Sequence, residues 1–472
     1  MTQPEVTRIE HDSMGDRHIP AHLYYGIQTL RATENFPISG LKPLPTYVDA
    51  GILIKKAAAM ANGELGCIPE DVAQAIVQAA DEILTGHLRD QFVVDVYQAG
   101  AGTSHHMNLN EVLANRALEL LGDVKGNYQR VSPNNHVNYG QSTNDVIPTA
   151  IRIGGLLALD RGLYPALQKA IATLNTKANE FQDVIKAGRT HLQDAVPVRL
   201  GEVLRAWCQI LQEHQVRLQQ AAQDLTQLGL GGSAVGTGLN THPRYRQQVI
   251  SILADLTQYP LQLAPHPMAA MQSMAPFVNT SGALRNLAQD CIKISHDLRL
   301  MDSGPKTGIK ELQLPRVQPG SSIMPGKYNP VIPEMTTMVC FQVMGYDSAI
   351  ALAAQAGQLE LNITMPLIAY NLIHSIEILG NTLVVLSDRC LQGMTAKRDR
   401  CLAYAEGSLA LVTALNPHIG YLNAAAIAQE SLESGKSLRQ IVLERNLLSA
   451  EKLEMILNLA EMSTIRSLDT NQ

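Results

Sequence analysis

Aromatic side chains are scarce in this chain of 472 residues: one Trp, 5 Phe and 14 Tyr make up only 4% of it. With few rings and few β-branched runs, a sheet-built core is disfavoured, whereas Ala, Leu, Gln and Glu summed over long windows favour helix. A basic excess is missing too. Lys and Arg number 37 against 43 Asp and Glu, a formal balance of −6, so net charge cannot gather the phosphates of a nucleic acid. A small anion would have to be met by locally placed donors.

The six cysteines, Cys67, Cys208, Cys291, Cys340, Cys390 and Cys401, form no CxxC pair and sit mostly among apolar neighbours. They read as reduced thiols of a reducing compartment. The opening MTQPEVTRIEHDSMGDRHIP has charges throughout and no apolar stretch to serve as a secretory core, so a cytoplasmic location is expected. Asn371, His374 and Glu377 interrupt the most apolar long segment, Met365 to Leu386. Spanning a bilayer takes about 20 nearly uninterrupted apolar residues, so no membrane is expected. There is no repeat period, low-complexity tract or charged tail, which excludes a solenoid or a disordered arm. At about 150 residues per domain the length accommodates two to four domains and a large core.

Apolar residues at three- and four-residue spacings predict long helices. From Pro197 to Leu228 the positions Leu200, Val203, Leu204, Trp207, Ile210, Leu211, Leu218, Leu225 and Leu228 repeat with Arg, Gln and Glu between them. Pro197 suits a first helical turn and Gly229 follows the last repeat. Similar patterns run over 146–183, 268–301 and 333–387, the last broken near Gly357, with shorter helices over 50–66 and 70–86. Helices of such length imply a bundle. After residue 396 the chain alternates short helical pieces with Gly and Pro, and Ser449 precedes a run with Glu451 in its first turn. The division expected is 1–141, 142–396 and 397–472.

Four stretches break this periodicity with hydroxyl, amide and glycine residues: 100–112 (GAGTSHHMNLNEV), 134–149 (NNHVNYGQSTNDVIPT), 188–197 (GRTHLQDAVP) and 319–330 (PGSSIMPGKYNP). Singly, each reads as a capping or turn-forming loop. Together they offer Ser142, Thr143, Asn144, Thr190, His191, Ser321, Lys327 and Asn329, the donor set a small dicarboxylate requires. Other patterns carry less. QLGLGGSAVGTG, from residue 227, has glycine spacing like a dinucleotide loop but follows a long helix where a strand is needed. Adjacent His105 and His106 lack a third metal ligand at suitable spacing, so a structural or supporting role is expected and no metal. Met268, Met271 and Met274 at helical spacing read as packing residues.

GSSIMPGKYNP at 320–330 resembles the signature of the fumarase/aspartase superfamily, and HVNYGQSTNDVIPT, GRTHLQDAVPVRLGE, GGSAVGTGLNT, GQLELN and ALNPHIGY follow in the family's order along nearly the whole chain. The resemblance implies an all-α, three-domain fold whose long central helices are shared in a homotetramer. It implies composite sites made by segments around 103, 143, 191 and 321 of different protomers. Reactions of this family eliminate a group β to a carboxylate without a cofactor. By the same resemblance Ser321 matches the base. Thr103, Ser142 and Thr143 match the grip on the carboxylate beside the abstracted proton, and Thr190, Lys327 and Asn329 the grip on the other. Asn144 and His191 match positions near the leaving group, Ser322 adds a hydroxyl, and Glu334 matches a polar partner of His191.

Fumarases usually read SGTQSNMN, QSSND, RTHTQDA and YWGAQTQR, where this chain has AGTSHHMN, QSTND, RTHLQDA and YYGIQTLR. These four stretches, with Val331, Pro333 and His136, resemble the aspartate ammonia-lyase branch, which implies L-aspartate and fumarate as ligands. Hydration of fumarate is the alternative activity, and a scaffold that kept the fold but lost catalysis is the reading from a different class. His105, His106, Asn135, Tyr139, Gly140 and Tyr328 depart from the ammonia-lyase pattern beside the expected pocket.

Overall fold

The computed structural model describes residues 6–465. A hairpin, β1 (Thr7–Asp12) and β2 (Gly15–Pro20), precedes α1 (Ile27–Asn35), α2 (Pro45–Glu64), α3 (Glu70–Leu84), α4 (Thr103–Leu120), α5 (Thr143–Ala158) and α6 (Tyr164–Glu180). A second hairpin, β3 (Ile185–Thr190) and β4 (Gln193–Arg199), leads into α7 (Leu200–Gln223). Beyond it come α8 (Tyr245–Thr257), α9 (Pro267–Gln272), α10 (Ala275–Asp302), α11 (Val331–Gln355) and α12 (Met365–Leu386), then short helices to Met462. The fold is all-α, with strands only in two-stranded pairs among the described residues.

Two compact units divide the chain. The first comprises Met1–Pro165, His214–Ala288 and Cys340–Asn381. Within it α2 is the axis, packed on α3, α5 and α8. Ile52, Ile76, Leu109, Leu113 and Leu118 are fully buried there, each stabilising the fold by about 2 kcal/mol on hydrophobic burial. Closeness is enforced by Gly51, where an added Cβ would lie 2.5 Å from Leu109 Cδ1. The second unit comprises Ala166–Glu213, Gln289–Val339 and Thr382–Gln472. Its C-terminal part has an apolar cluster of its own around Leu411, Leu415, Ile427, Ile441, Val442 and Leu453, and Ser449 caps Ala450–Ile456 as its sequence predicts.

Three local expectations need correcting. The stretch 188–197 is mostly hairpin rather than loop, and Pro197 pairs with Ala187 across it, so α7 begins at Leu200. A proline is tolerated here because both strands of a two-stranded sheet are edges. The helix expected over 146–183 starts earlier, at Thr143, ends at Glu180 and carries a π turn at Leu159–Leu163. That expected over 268–301 is two helices parted at Ser273 and Met274.

By length and composition alone, Val331–Gln355 and Met365–Leu391 could each cross a membrane. The second is a core helix, with Ile368, Leu372, Ile373, Ile376 and Leu383 all buried. Five of the six cysteines, all but Cys67, are buried.

Candidate active site

In the first unit the site residues gather where α4 and α5 begin. Ser142 is the N-cap of α5: its Oγ accepts from Asn144 N at 3.2 Å, while Ser142 N donates to Asp145 Oδ1 at 2.9 Å, closing a capping box. Such a cap leaves Thr143 and Asn144 on the first turn, where backbone donors and the helix dipole favour an anion. Thr103 opens α4, and Gly102 before it has φ +92 and lies against Ile147 of α5, so the two helix starts abut. Asn144 Nδ2 donates to Ala234 O at 2.8 Å.

Beneath this corner the polar groups are buried. Asp145 accepts from Gly231 N at 3.0 Å and Ser233 N at 2.9 Å, so amides of the glycine-rich loop serve a carboxylate of the chain itself. Burial pushes Asp145 up to about 6 against those hydrogen bonds and the Lys55 charge. Lys55 Nζ lies 2.7 Å from His106 Nε2 and donates to Asn138 Oδ1 and Gln141 Oε1, both at 2.9 Å. His106 Nδ1 lies 2.8 Å from Thr143 Oγ1. Burial holds both Lys55 and His106 well below their ordinary values, and the Lys55 charge lowers His106 further. His105 is also buried, stacked on Tyr47 at 4.6 Å. Of the remaining departures in this unit, Gly140 adopts φ +66, Tyr139 O accepts from Asn62 Nδ2 at 3.0 Å, and Asn135 N donates to Ser132 Oγ at 3.1 Å.

The second unit presents its candidates on exposed turns. Thr190 pairs with Gln193, leaving His191 and Leu192 as a two-residue hairpin connection with φ +55 and +59. Such a connection ordinarily takes Asn or Gly, and holding side-chain-bearing residues there costs backbone energy. Thr190 and His191 are exposed. In the loop 319–330, Ser321 Oγ accepts from Ile323 N at 3.3 Å and Met324 N at 3.1 Å. Two amides aimed at a hydroxyl oxygen favour its anionic form. The loop closes on itself: Asn329 Nδ2 donates to Gly320 O and Gly320 N to Lys327 O, both at 2.8 Å. At Gly320 a Cβ would lie 2.6 Å from Asn329 N. Ser322 and the Lys327 side chain are exposed, and Arg316 lies over the Tyr328 ring at 4.3 Å.

Glu334, at the start of α11, lies 3.9 Å from Arg299. Among the described residues no hydrogen bond or ion pair joins it to His191, or joins the hairpin turn to the loop. The structure thus brings Thr103, Ser142, Thr143 and Asn144 to one corner, and Ser321, Ser322, Lys327 and Asn329 into one loop. Lys55 and Asp145 were missed. The signal was a lysine on the apolar face of α2, three residues after Ile52 and four before Ala59. Among the described residues no three His, Cys, Asp or Glu side chains group as a metal site.

Comparison with known proteins agrees along nearly the whole chain. The profile of a family described as Lyase matches residues 15–345, and that of the Fumarase C C-terminus matches 411–464. An aspartate ammonia-lyase from Bacillus subtilis is 48% identical over 456 residues, 97% of this chain and 96% of that protein. Its counterpart from Escherichia coli K12 is 46% identical over 458 residues, covering 96% of each. Among solved structures, a cobalt-bound fumarate lyase:delta crystallin from Brucella melitensis superposes with TM-score 0.94 at 46% identity, over 98% of this chain and 100% of that one. A class II fumarase from Schistosoma mansoni gives 0.92 at 36% identity, over 97% and 99%.

Proposed function

This chain belongs to the fumarase/aspartase superfamily of lyases, and from that membership we propose that it catalyses the reversible deamination of L-aspartate to fumarate and ammonia. The observation that carries the reading is the setting of Ser321, whose oxygen receives two backbone N–H groups. As alkoxide, Ser321 takes a proton from the carbon beside the β-carboxylate. The electron pair left behind forms the C=C bond as the C–N bond breaks and ammonia departs. The barrier is the dianionic aci-carboxylate formed on the way, so donors aimed at that charge accelerate the step. Thr103, Ser142 and Thr143 supply them. Thr190, Lys327 and Asn329 hold the other carboxylate, Asn144 and His191 flank the amine, and Ser322 adds a hydroxyl to the closing loop. Glu334 serves His191.

Assembly belongs to the same proposal. Met338, Phe341 and Leu352 on α11 are 64%, 57% and 63% exposed in the single chain. An apolar helix face of this kind favours burial against other copies. A homotetramer with the long helices at its centre covers it and joins the two sets of site residues from different protomers, each protomer reading as three domains divided at 141 and 396. Buried cysteines with no CxxC pair among them fit a reducing cytoplasm. Small dicarboxylates are the ligands, with no nucleic acid, membrane or cofactor.

Separate initial rates with L-aspartate and L-malate test the activity. Aspartate should be consumed and malate left nearly untouched, and Ser321→Ala should lose at least about 10³-fold in kcat while folding normally. Faster turnover of malate would overturn the ammonia-lyase reading in favour of hydration. A folded oligomer that acts on neither would point to a scaffold.

A further inference from the structure

Behind the Thr143 hydroxyl runs an enclosed line of polar groups. Lys55 is 0% and His106 1% exposed. An ammonium has three protons, and Lys55 Nζ has three acceptors within reach: His106 Nε2 at 2.7 Å, and Asn138 Oδ1 and Gln141 Oε1 at 2.9 Å. The counter-charge is the buried Asp145 carboxylate. His106, enclosed beside a cation, is neutral and carries one ring proton. Because Lys55 donates to Nε2, that proton resides on Nδ1 and points at Thr143 Oγ1, 2.8 Å away.

The consequence falls on Thr143. Its oxygen accepts from the imidazole, so its own proton must go elsewhere. A threonine inside a helix usually gives that proton to the carbonyl four residues back, as Thr149 does to Asp145 O at 2.7 Å. Thr143 is the first residue of α5 and has no preceding turn. Among the described residues its hydroxyl has no hydrogen-bond partner other than His106.

We propose that Lys55 and His106 are positioning residues that lock Thr143 as a one-way donor: Lys55 N–H to His106 Nε2, His106 Nδ1–H to Thr143 Oγ1, and the Thr143 proton to the substrate carboxylate. The inference rests on the lyase reading above and assigns that site a fixed donor direction. A donor chain starting at a buried cation polarises each successive bond, so its effect grows with the negative charge on the acceptor. The dianionic intermediate gains more than the ground-state carboxylate, so kcat is affected more than KM.

A double-mutant cycle and a spectroscopic measurement test this. His106→Leu and Thr143→Val should each lower kcat for L-aspartate by about tenfold or more with a smaller change in KM, and together should cost little beyond either alone. His106→Asn places an amide nitrogen where Nδ1 was and should recover most of the loss. Losses that multiply, or an Asn variant no better than Leu, would overturn the inference while leaving the lyase reading intact. Solid-state NMR of sedimented enzyme with 15N-labelled histidine needs no turnover. The resonances missing from His106→Asn should belong to a neutral ring protonated on Nδ1. A ring protonated on Nε2, or on both nitrogens, sinks the inference whatever the substrate. The expected tautomer in a protein that ignores aspartate would retain the donor lock and refute only the lyase reading.

Discussion

The corner where α4 and α5 begin and the turns that carry His191 and Ser321 solve opposite problems. At the corner, a cation and an imidazole are buried and bonded to each other beside a carboxylate buried on backbone amides, so a threonine hydroxyl is supported from behind. On the turns, the chemistry-bearing side chains are partly or largely exposed, and their order comes from local backbone: a tight hairpin and a loop bonded to itself. Burial makes each lost partner costly, since the remaining charge cannot reach water. Exposure makes changes cheap for folding and decisive only for chemistry. The two regions should therefore answer mutation in different currencies, one in stability and the other in rate.

Lys55→Met is the severest test of that contrast. It removes the cation, leaves Asp145 as a buried carboxylate without its counter-charge, and deprives Asn138, Gln141 and His106 of a shared donor. Each buried acceptor left without its donor costs about 1–3 kcal/mol. A marked fall in thermal midpoint is expected, far larger than that caused by Ser321→Ala, and comparing the two melts by calorimetry checks it. If Lys55→Met melted with the wild type, the buried corner would not differ from the turns in kind.

The same contrast explains what the sequence allowed to be read. Helical periodicity located α2, α3, α7 and the break near Gly357, because an apolar stripe repeats along each helix whatever packs against it. The β3–β4 hairpin escaped because its connection is His-Leu, without the Asn or Gly that signals positive φ, and because Pro197 looked like a helix start. Hydroxyls and amides of the candidate site were legible as a cluster of unusual composition. The Lys55 network was not, since its hydrogen bonds reach partners 51, 83 and 86 positions away. Contacts at that separation are set by how α2 packs, which local pattern does not encode.

A second buried carboxylate sharpens the comparison through pH. Glu111 accepts from Gly26 N and Gln28 N at 2.9 Å, Thr29 N at 3.1 Å and Thr29 Oγ1 at 2.6 Å, all at the start of α1. Burial nevertheless pushes it up to about 7 from an ordinary 4.5, with nearby Glu10 adding to the rise. A folded state that holds its proton more tightly than the unfolded chain loses stability as pH rises between those two values. This contribution is whole below 4.5 and gone above 7, at most about 3 kcal/mol. Glu111→Gln lacks it. The midpoint of the wild type minus that of the variant should therefore shrink from pH 5 to pH 8, whatever the variant's absolute stability. A difference that grows would mean the four donors outweigh burial.

The smallest effect is expected on the exposed side, at Leu192. This residue is 71% exposed and holds φ +59 beside His191 in the hairpin connection. Leu192→Gly removes a strained side chain that buries little, while the imidazole of His191 and the pairing of Thr190 with Gln193 remain. Relief of positive φ outweighs the extra freedom glycine gives the unfolded chain, by about 1 kcal/mol or less. The thermal midpoint should hold or rise slightly with kcat for L-aspartate preserved. A clear loss of stability would show that the turn depends on the leucine side chain, and an exposed turn that depends on packing would erase the distinction drawn between the two regions.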